Sequence, residues 1–166
     1  SPLGQFYVYE WAGYDESGSS IFNDYDADGN LVGTTDAPDD TDRRKAGSAQ
    51  PKITYGWNND LTWKNWTLNA FFQGVAGNKI FNATRAYYNN VSLIKNGKNV
   101  LAEVAAEQNA NDTRAQAPSN RYIENGSYFR LATLTLGYNF GKLGNWVNNL
   151  RIYATCNNVF TITGYK

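Results

Sequence analysis

From Ile53 to Trp63 the chain alternates residue by residue. Ile53, Tyr55, Trp57, Leu61 and Trp63 share one pleat face, and Thr54, Gly56, Asn58, Asp60 and Thr62 share the other. After the polar corner Lys64-Asn65 the pattern returns, with Trp66, Leu68, Ala70 and Phe72 set against Thr67, Asn69 and Gln73. Two residues is the length that favours tight reversal of antiparallel strands, so the segment predicts a hairpin. Ser127 to Phe140 repeats the theme. Tyr128, Ala132, Leu134, Leu136, Tyr138 and Phe140 are expected on one face, with Thr133, Thr135, Gly137 and Asn139 on the other. Arg130 then interrupts the apolar face near one end, where its long stem can carry the guanidinium towards an interface. A last strand puts Leu150, Ile152, Ala154 and Cys156 on one side and Arg151, Tyr153, Thr155 and Asn157 on the other.

A strand of about ten residues, apolar on one face with aromatic rings at its ends, is the unit of a bilayer-spanning barrel wall. Phe6 to Tyr14 alternates as well and predicts a fifth strand. The stretches 15–50 and 77–126 are polar and read as long loops, with helical composition only at Val100 to Gln108. The connections therefore alternate long and short: about 36 residues, two, about 50, about nine. Outer-membrane barrels have that asymmetry, with short turns at one rim and long loops at the other. Roughly five strands fall below the minimum of about eight for closure, so other strands of the same protein are expected to complete the ring.

Composition leaves this reading open and closes others. The 166 residues carry a formal net charge of zero, which gives no electrostatic reason to expect nucleic acid. No run approaches the roughly 18 apolar residues of a spanning helix, whereas a spanning strand needs only every second residue to be apolar. One cysteine excludes an intrachain disulfide, and the absence of histidine removes the commonest zinc ligand and general base. With no Met and no apolar leader, the chain is expected to be a piece of a longer polypeptide.

Three segments carry a family resemblance. Asn120-Arg121-Tyr122-Ile123-Glu124-Asn125-Gly126-Ser127-Tyr128-Phe129-Arg130-Leu131, continuing through Leu134-Thr135-Leu136-Gly137-Tyr138, resembles a signature R-(F/Y)-I-E-(D/N)-G-S-Y-(L/F)-R-L followed by L-(T/S)-L-G-Y. Leu150 to Ala154 with Asn157 to Tyr165 resembles LR-(V/I)-Y followed by NL-(F/L)-T-(I/L)-T-x-Y. Pro51-Lys52 with Gly56, then Phe71-Phe72-Gln73-Gly74 and Gly77, resembles P-(K/R)-xxxG and FFQG-xxG. Together they are similar to the C-terminal part of SusC/RagA-like TonB-dependent transporters of the Bacteroidota outer membrane. The resemblance implies that residues 1–166 are a C-terminal wall segment of a plugged barrel of about 22 strands, all-β and antiparallel, with long external loops. The plug and the N-terminal regions would lie outside this chain, as would the terminal strands that follow the last motif in the family. It further implies a Gram-negative outer-membrane location, active import of a bulky oligosaccharide or peptide driven through TonB, and a SusD-like surface lipoprotein as lid. No catalytic role is implied. The rival reading is a secreted β-sandwich carbohydrate-binding module, which accounts for the tyrosine richness but not for the loop-length rhythm.

Candidate chemistry lies in the loops. Asp24-Tyr25-Asp26-Ala27-Asp28-Gly29-Asn30 matches the first half of a D-x-D-x-D-G calcium loop, in which clustered oxygens suit a hard cation. The second half departs from it, because Thr35 stands where a bidentate Glu is needed. An acidic surface turn is the expectation; a structural Ca2+ on Asp24, Asp26 and Asp28, bracing the loop, is the alternative. Tyr87, Tyr88 and Tyr122 are candidates for stacking on substrate sugar rings, with packing among the loops as the competing use. Asn58, Asp60, Asn69, Gln73, Thr133, Thr135 and Asn139 are expected to face the barrel lumen or the plug.

Overall fold

A computed structural model describes residues 3–165. The chain divides into two compact units, one formed by Ser1–Gln50 with Lys79–Glu124, the other by Pro51–Asn78 with Asn125–Lys166.

In the loop unit, β1 (Gln5–Tyr9) pairs antiparallel with β5 (Arg43–Ser48). β2 (Trp11–Tyr14), β3 (Ser20–Tyr25) and β4 (Leu31–Thr35) form a three-stranded meander, and β8 (Lys79–Phe81) pairs with β9 (Ile123–Asn125). Two corrections to the sequence reading follow. The run from Phe6 to Tyr14 is two strands in different sheets, and the stretch 15–50 is not a bare loop but holds three strands. Those strands escape pattern reading because polar side chains hold them. Asp42 accepts from the Tyr25 backbone N–H at 2.8 Å and from that of Asp39 at 2.8 Å, closing a reciprocal cap on the 3-10 turn Asp40–Asp42. The segment expected to be helical at 100–108 shrinks to α2 (Ala102–Ala105); the longer α1 (Ala83–Tyr88) begins where the Asn82 side chain accepts from the Arg85 backbone N–H. Val8, Tyr9, Phe22, Val91, Leu93, Val104 and Tyr122 are buried in the unit's small core.

The second unit is a single antiparallel sheet: β6 (Ile53–Trp63), β7 (Trp66–Ala76), β10 (Tyr128–Leu143) and β11 (Val147–Thr163), adjacent in that order. The expected hairpin is present with unbroken register from Ile53↔Ala76 to Trp63↔Trp66, and Lys64 makes the reversal in the left-handed region at φ 53°. Four strands, not five, make the sheet, since the N-terminal run belongs to the other unit. Strand β10 also runs further than the alternation suggested, so the last turn is residues 144–146 instead of about nine residues. Both short turns lie at one end of the ladder. At the opposite end β6 begins, β7 ends, β10 begins and β11 ends.

A pair of bulges changes which residues share a face. Between Leu131 and Thr133, β10 carries one extra residue against β7, and β11 carries one extra against β10, with Asn158 at φ 53°. Each bulge inverts the parity of the residues beyond it. Phe129 and Leu131, rather than Tyr128, Arg130 and Ala132, therefore join Leu134, Leu136 and Tyr138 on the apolar face. Arg130 is turned to the polar face, where Nε donates to Thr161 Oγ1 at 3.1 Å. The sequence expectation for this end of β10 is thus reversed, because strict alternation has no provision for an inserted residue.

Candidate functional site

The register sorts the sheet into two surfaces of opposite chemistry. One carries Ile53, Tyr55, Trp57, Leu61 and Trp63 beside Trp66, Leu68, Ala70 and Phe72, then Phe129, Leu131, Leu134, Leu136 and Tyr138, then Ile152, Ala154, Cys156, Phe160 and Ile162. This face stays open: Trp57 is 61% exposed, Trp63 68% and Ile162 64%. A contiguous apolar surface spread over four strands is far larger than water tolerates on a monomer, and marks a surface meant for an apolar partner or for lipid.

Its aromatic residues lie in two bands. At the end where the long segments attach, Trp57 stacks on Phe72 at 5.5 Å, Phe72 on Phe129 at 5.5 Å, and Phe129 meets Phe160 at 6.2 Å, a row that crosses all four strands. The bulges supply two of its four members by turning Phe129 and Phe160 onto the apolar face. Tyr55 lies across Gly74, its register partner, stacks on Phe129 and donates its hydroxyl to the Tyr128 carbonyl at 3.1 Å. Glycine is required at 74 because a Cβ there would sit 2.3 Å from that carbonyl oxygen. At the other end Trp66 packs edge-on to Tyr138 at 4.7 Å, and Tyr138 to Phe140 at 4.6 Å. Along the strand, Phe129 to Tyr138 spans about 30 Å at about 3.4 Å per residue. Tilted by about 40°, that becomes about 23 Å, close to the roughly 25 Å apolar band of an outer-membrane barrel.

The reverse face is polar and bonded across strands. Asn69 Nδ2 donates to Asn58 Oδ1 at 3.0 Å and to Asp60 Oδ1 at 2.7 Å, Thr135 and Thr155 share a hydrogen bond at 3.0 Å, and Arg151 donates to Thr67 Oγ1 at 3.0 Å. The register brings Asn58, Asp60, Asn69, Gln73, Thr133, Thr135 and Asn139 onto this one face.

The loop candidates fare differently from one another. Tyr87 and Tyr88 are adjacent at the end of α1, exposed, with rings perpendicular at 5.3 Å. Lys98 Nζ donates to Tyr87 Oη at 2.7 Å, which raises the lysine pKa. Tyr122 is no surface platform: it is 2% exposed, packs edge-on to Phe81, and donates its hydroxyl to the Ala115 carbonyl. Burial pushes its pKa up. Asp24 lies in β3 opposite Gly33, and of the three carboxylates it is that of Asp26 which organises the turn. It accepts from the backbone N–H of Asp28 and Asn30 at 3.0 and 2.8 Å and from Asn30 Nδ2, bonds that lower its pKa and close the β3–β4 turn, the Asn30 backbone first. Among the described residues no group of three or more His, Cys, Asp or Glu side chains is placed to hold a metal ion.

Three constellations were not visible as motifs. Asp112, buried, accepts from Ser20 N–H and Oγ at 3.1 and 2.6 Å and from Gln108 and the Arg114 N–H, tying β3 to a segment about ninety residues later. Arg85 bridges Glu103 at 3.2 Å and Glu124 at 3.5 Å. Burial pushes the Glu103 carboxyl up, but the Arg85 hydrogen bond and charge outweigh it and leave the pKa lowered. Arg121 lies over Trp11 at 4.2 Å and Tyr14 at 5.3 Å while donating to Tyr14 Oη. A basic residue in the signature segment hints at the last of these, but its aromatic partners stand about a hundred residues earlier.

No protein-family model matches the chain. It is similar to TonB-dependent receptor P3 of Formosa agariphila, 31% identical over 98% of this chain and 18% of that protein, and to TonB-dependent receptor SusC of Bacteroides thetaiotaomicron, 30% identical over 97% of this chain and 16% of that protein. Among solved structures it resembles that of the RagAB peptide transporter, with a TM-score of 0.69, 25% identity, and coverage of 97% of this chain and 19% of that one. The RagAB peptide importer in a closed-closed state gives a TM-score of 0.71 at 25% identity, over 99% of this chain and 21% of that one. The chain thus spans less than a fifth of the length of the curated relatives it matches.

Proposed function

We propose, since the chain belongs to the TonB-dependent receptors of the SusC and RagA kind, that its four-stranded sheet is a stretch of outer-membrane barrel wall and its other unit a pair of external loops. The observation that carries this reading is the two-faced sheet, open and apolar between aromatic bands on one side and cross-linked by polar side chains on the other. Such a sheet is stable where acyl chains solvate one face, and where every backbone group finds a partner in the neighbouring strand. The outer edges of β6 and β11 are unpaired within this sheet, and the rest of a plugged ring of about 22 strands, the class of outer-membrane transporters, would pair them. Residues 1–166 are then a C-terminal barrel segment.

The activity that fits is import of a bulky nutrient, oligosaccharide or peptide, across a Gram-negative outer membrane, energised through TonB and assisted by a SusD-like lipoprotein over the external loops. The exposed Tyr87–Tyr88 pair is offered as a substrate or lid contact. Asp26 and Asp28, beyond the end of β3 that carries Asp24, are offered as an acidic surface turn closed by the bonds of Asp26 to Asp28 and Asn30. The wall unit is one sheet with no second layer of its own, which speaks against the β-sandwich alternative. The test is to express the full-length protein with and without a SusD-like lipoprotein from the same organism and to measure heat-modifiable mobility, lipoprotein co-purification and TonB-dependent growth on candidate glycans and peptides. A protein that stays monodisperse without detergent would refute the membrane reading.

A further inference from the structure

The wall unit carries more positive charge than its own residues match. Residues 51–78 and 125–166 hold six Lys and Arg against Asp60 alone, and the Asp60 carboxylate already accepts from the side-chain amides of Asn58 and Asn69. Two of the six, Arg130 and Arg151, lie on the polar face. Arg130 is drawn into its surroundings, with the Tyr128 ring 5.1 Å from its guanidinium and Thr161 and Asn158 as acceptors. Arg151 is not. It crosses β10 over Gly137, where a Cβ would stand 3.3 Å from its Nε and Nη2, and reaches β7, where Nη2 donates to Thr67 Oγ1 at 3.0 Å. That is its single hydrogen bond among the described residues, from a group with five N–H donors. No carboxylate of the described residues forms an ion pair with it. A bare glycine backbone thus holds the guanidinium close to the sheet and leaves most of its donors to a partner. Tyr153, two residues further along β11, is the register partner of Gly137 and stands on the same face, 67% exposed.

An open tyrosine next to an arginine short of acceptors has the composition of an interface centre, because both residue types are enriched among the anchors of protein–protein contacts. We propose, resting on the barrel-wall reading, that Arg151 and Tyr153 dock an acidic segment of the plug, a carboxylate pairing with the Arg151 guanidinium while Tyr153 packs on the chain around it. Charge selects this occupant. A guanidinium enclosed between wall and plug is heavily penalised by desolvation unless it is matched, and a carboxylate matches its fork with two parallel bonds. The wall itself cannot supply one, since Asp60 lies on β6, the strand of the sheet farthest from β11. Arg151 pairs with Asn139, close to the turn 144–146, so the contact falls at the end of the wall where the short turns lie. In an outer-membrane barrel that end is periplasmic.

The test places the photo-reactive residue p-benzoylphenylalanine at Tyr153, and separately at Ile152, in the full-length protein reconstituted into phosphatidylcholine vesicles. Irradiation followed by peptide mass spectrometry should join position 153 to a segment outside residues 1–166 that carries Asp or Glu within a few residues of the link. Position 152, which is 57% exposed on the apolar face, should be joined to lipid. Arg151→Gln should speed amide exchange of the joined segment about tenfold, the loss expected of one charge-assisted contact, and Arg151→Lys should recover part of it. Arg151→Glu should be rescued when the carboxylate of that segment is replaced by Lys, a reciprocity that loss of structure would not produce. Position 153 joined only to wall strands or to nothing, with position 152 on lipid, would overturn the docking and spare the barrel reading. Exchange unchanged by Arg151→Gln, or a charge swap that rescues nothing, would overturn it as well. Position 152 joined to protein in place of lipid would sink the barrel wall and the docking with it.

Discussion

Leu134 is the most direct probe of what solvates the sheet. It lies opposite Ala70 on β7 and Cys156 on β11, about midway between the two aromatic bands of β10. Thr135, the next residue, points to the reverse face between Asn69 and Thr155. If acyl chains cover the apolar face, Leu134→Arg puts a guanidinium near the bilayer midplane, at a cost of about 2–4 kcal/mol. At about 1.4 kcal/mol per decade, that is a loss of about 30- to 700-fold in the folding equilibrium. Thr135→Arg carries the same charge and a similar volume, yet stays among polar partners and loses mainly the hydroxyl bond to Thr155, about 1 kcal/mol. The measurement is urea titration of the full-length protein refolded into phosphatidylcholine vesicles, read by heat-modifiable mobility. Equal losses for the two variants, or a larger loss for Thr135→Arg, would refute the assignment of faces.

Gly74→Ala should destabilise the wall by about 1–3 kcal/mol, because the added methyl meets a backbone carbonyl that cannot swing away; a thermal midpoint no lower than that of the parent would contradict this, and combining it with Tyr55→Ala should recover only part of the loss. Asp112→Ala strips a buried acceptor from Ser20, Gln108 and the Arg114 N–H, which should cost about 3 kcal/mol locally and appear as faster amide exchange in both β3 and residues 108–114. Asp26→Ala should loosen the β3–β4 turn equally with and without calcium, read by amide exchange at Gly29 and Asn30; a turn protected only when calcium is added would restore the metal-site alternative. Acid should open the loop unit before the sheet. Asp15, Asp26, Asp39 and Glu103 all have lowered pKa values in the folded state, so their contributions are full above the ordinary values of 3.8 and 4.5 and fade as pH falls through the depressed ones. Residues 51–78 and 125–166 hold Asp60 as their single acidic side chain. Exchange rates that rise together in both units between pH 5 and pH 2 would count against this.

By itself the sequence determined the wall: period-2 alternation over long strands with one open face leaves little else to decide, and the hairpin at Lys64-Asn65, the face of β6 and β7 and the polar strip through Asn58, Asn69 and Thr135 were all legible in it. The signature segments carried the family in the same way. Tertiary structure decided what alternation cannot encode. An inserted residue near Ala132 and another near Asn158 invert the parity of everything beyond them, so only pairing revealed that Phe129 and Phe160 share the apolar face while Arg130 turns to the polar one. Strands β3 to β5 were hidden because they are short and held by Asp42 and Asp112 through bonds to distant backbone, which leaves no periodic trace. Tyr122 is buried for a related reason: its hydroxyl has the Ala115 carbonyl as a partner, and that pairing exists only once the loop has closed on itself.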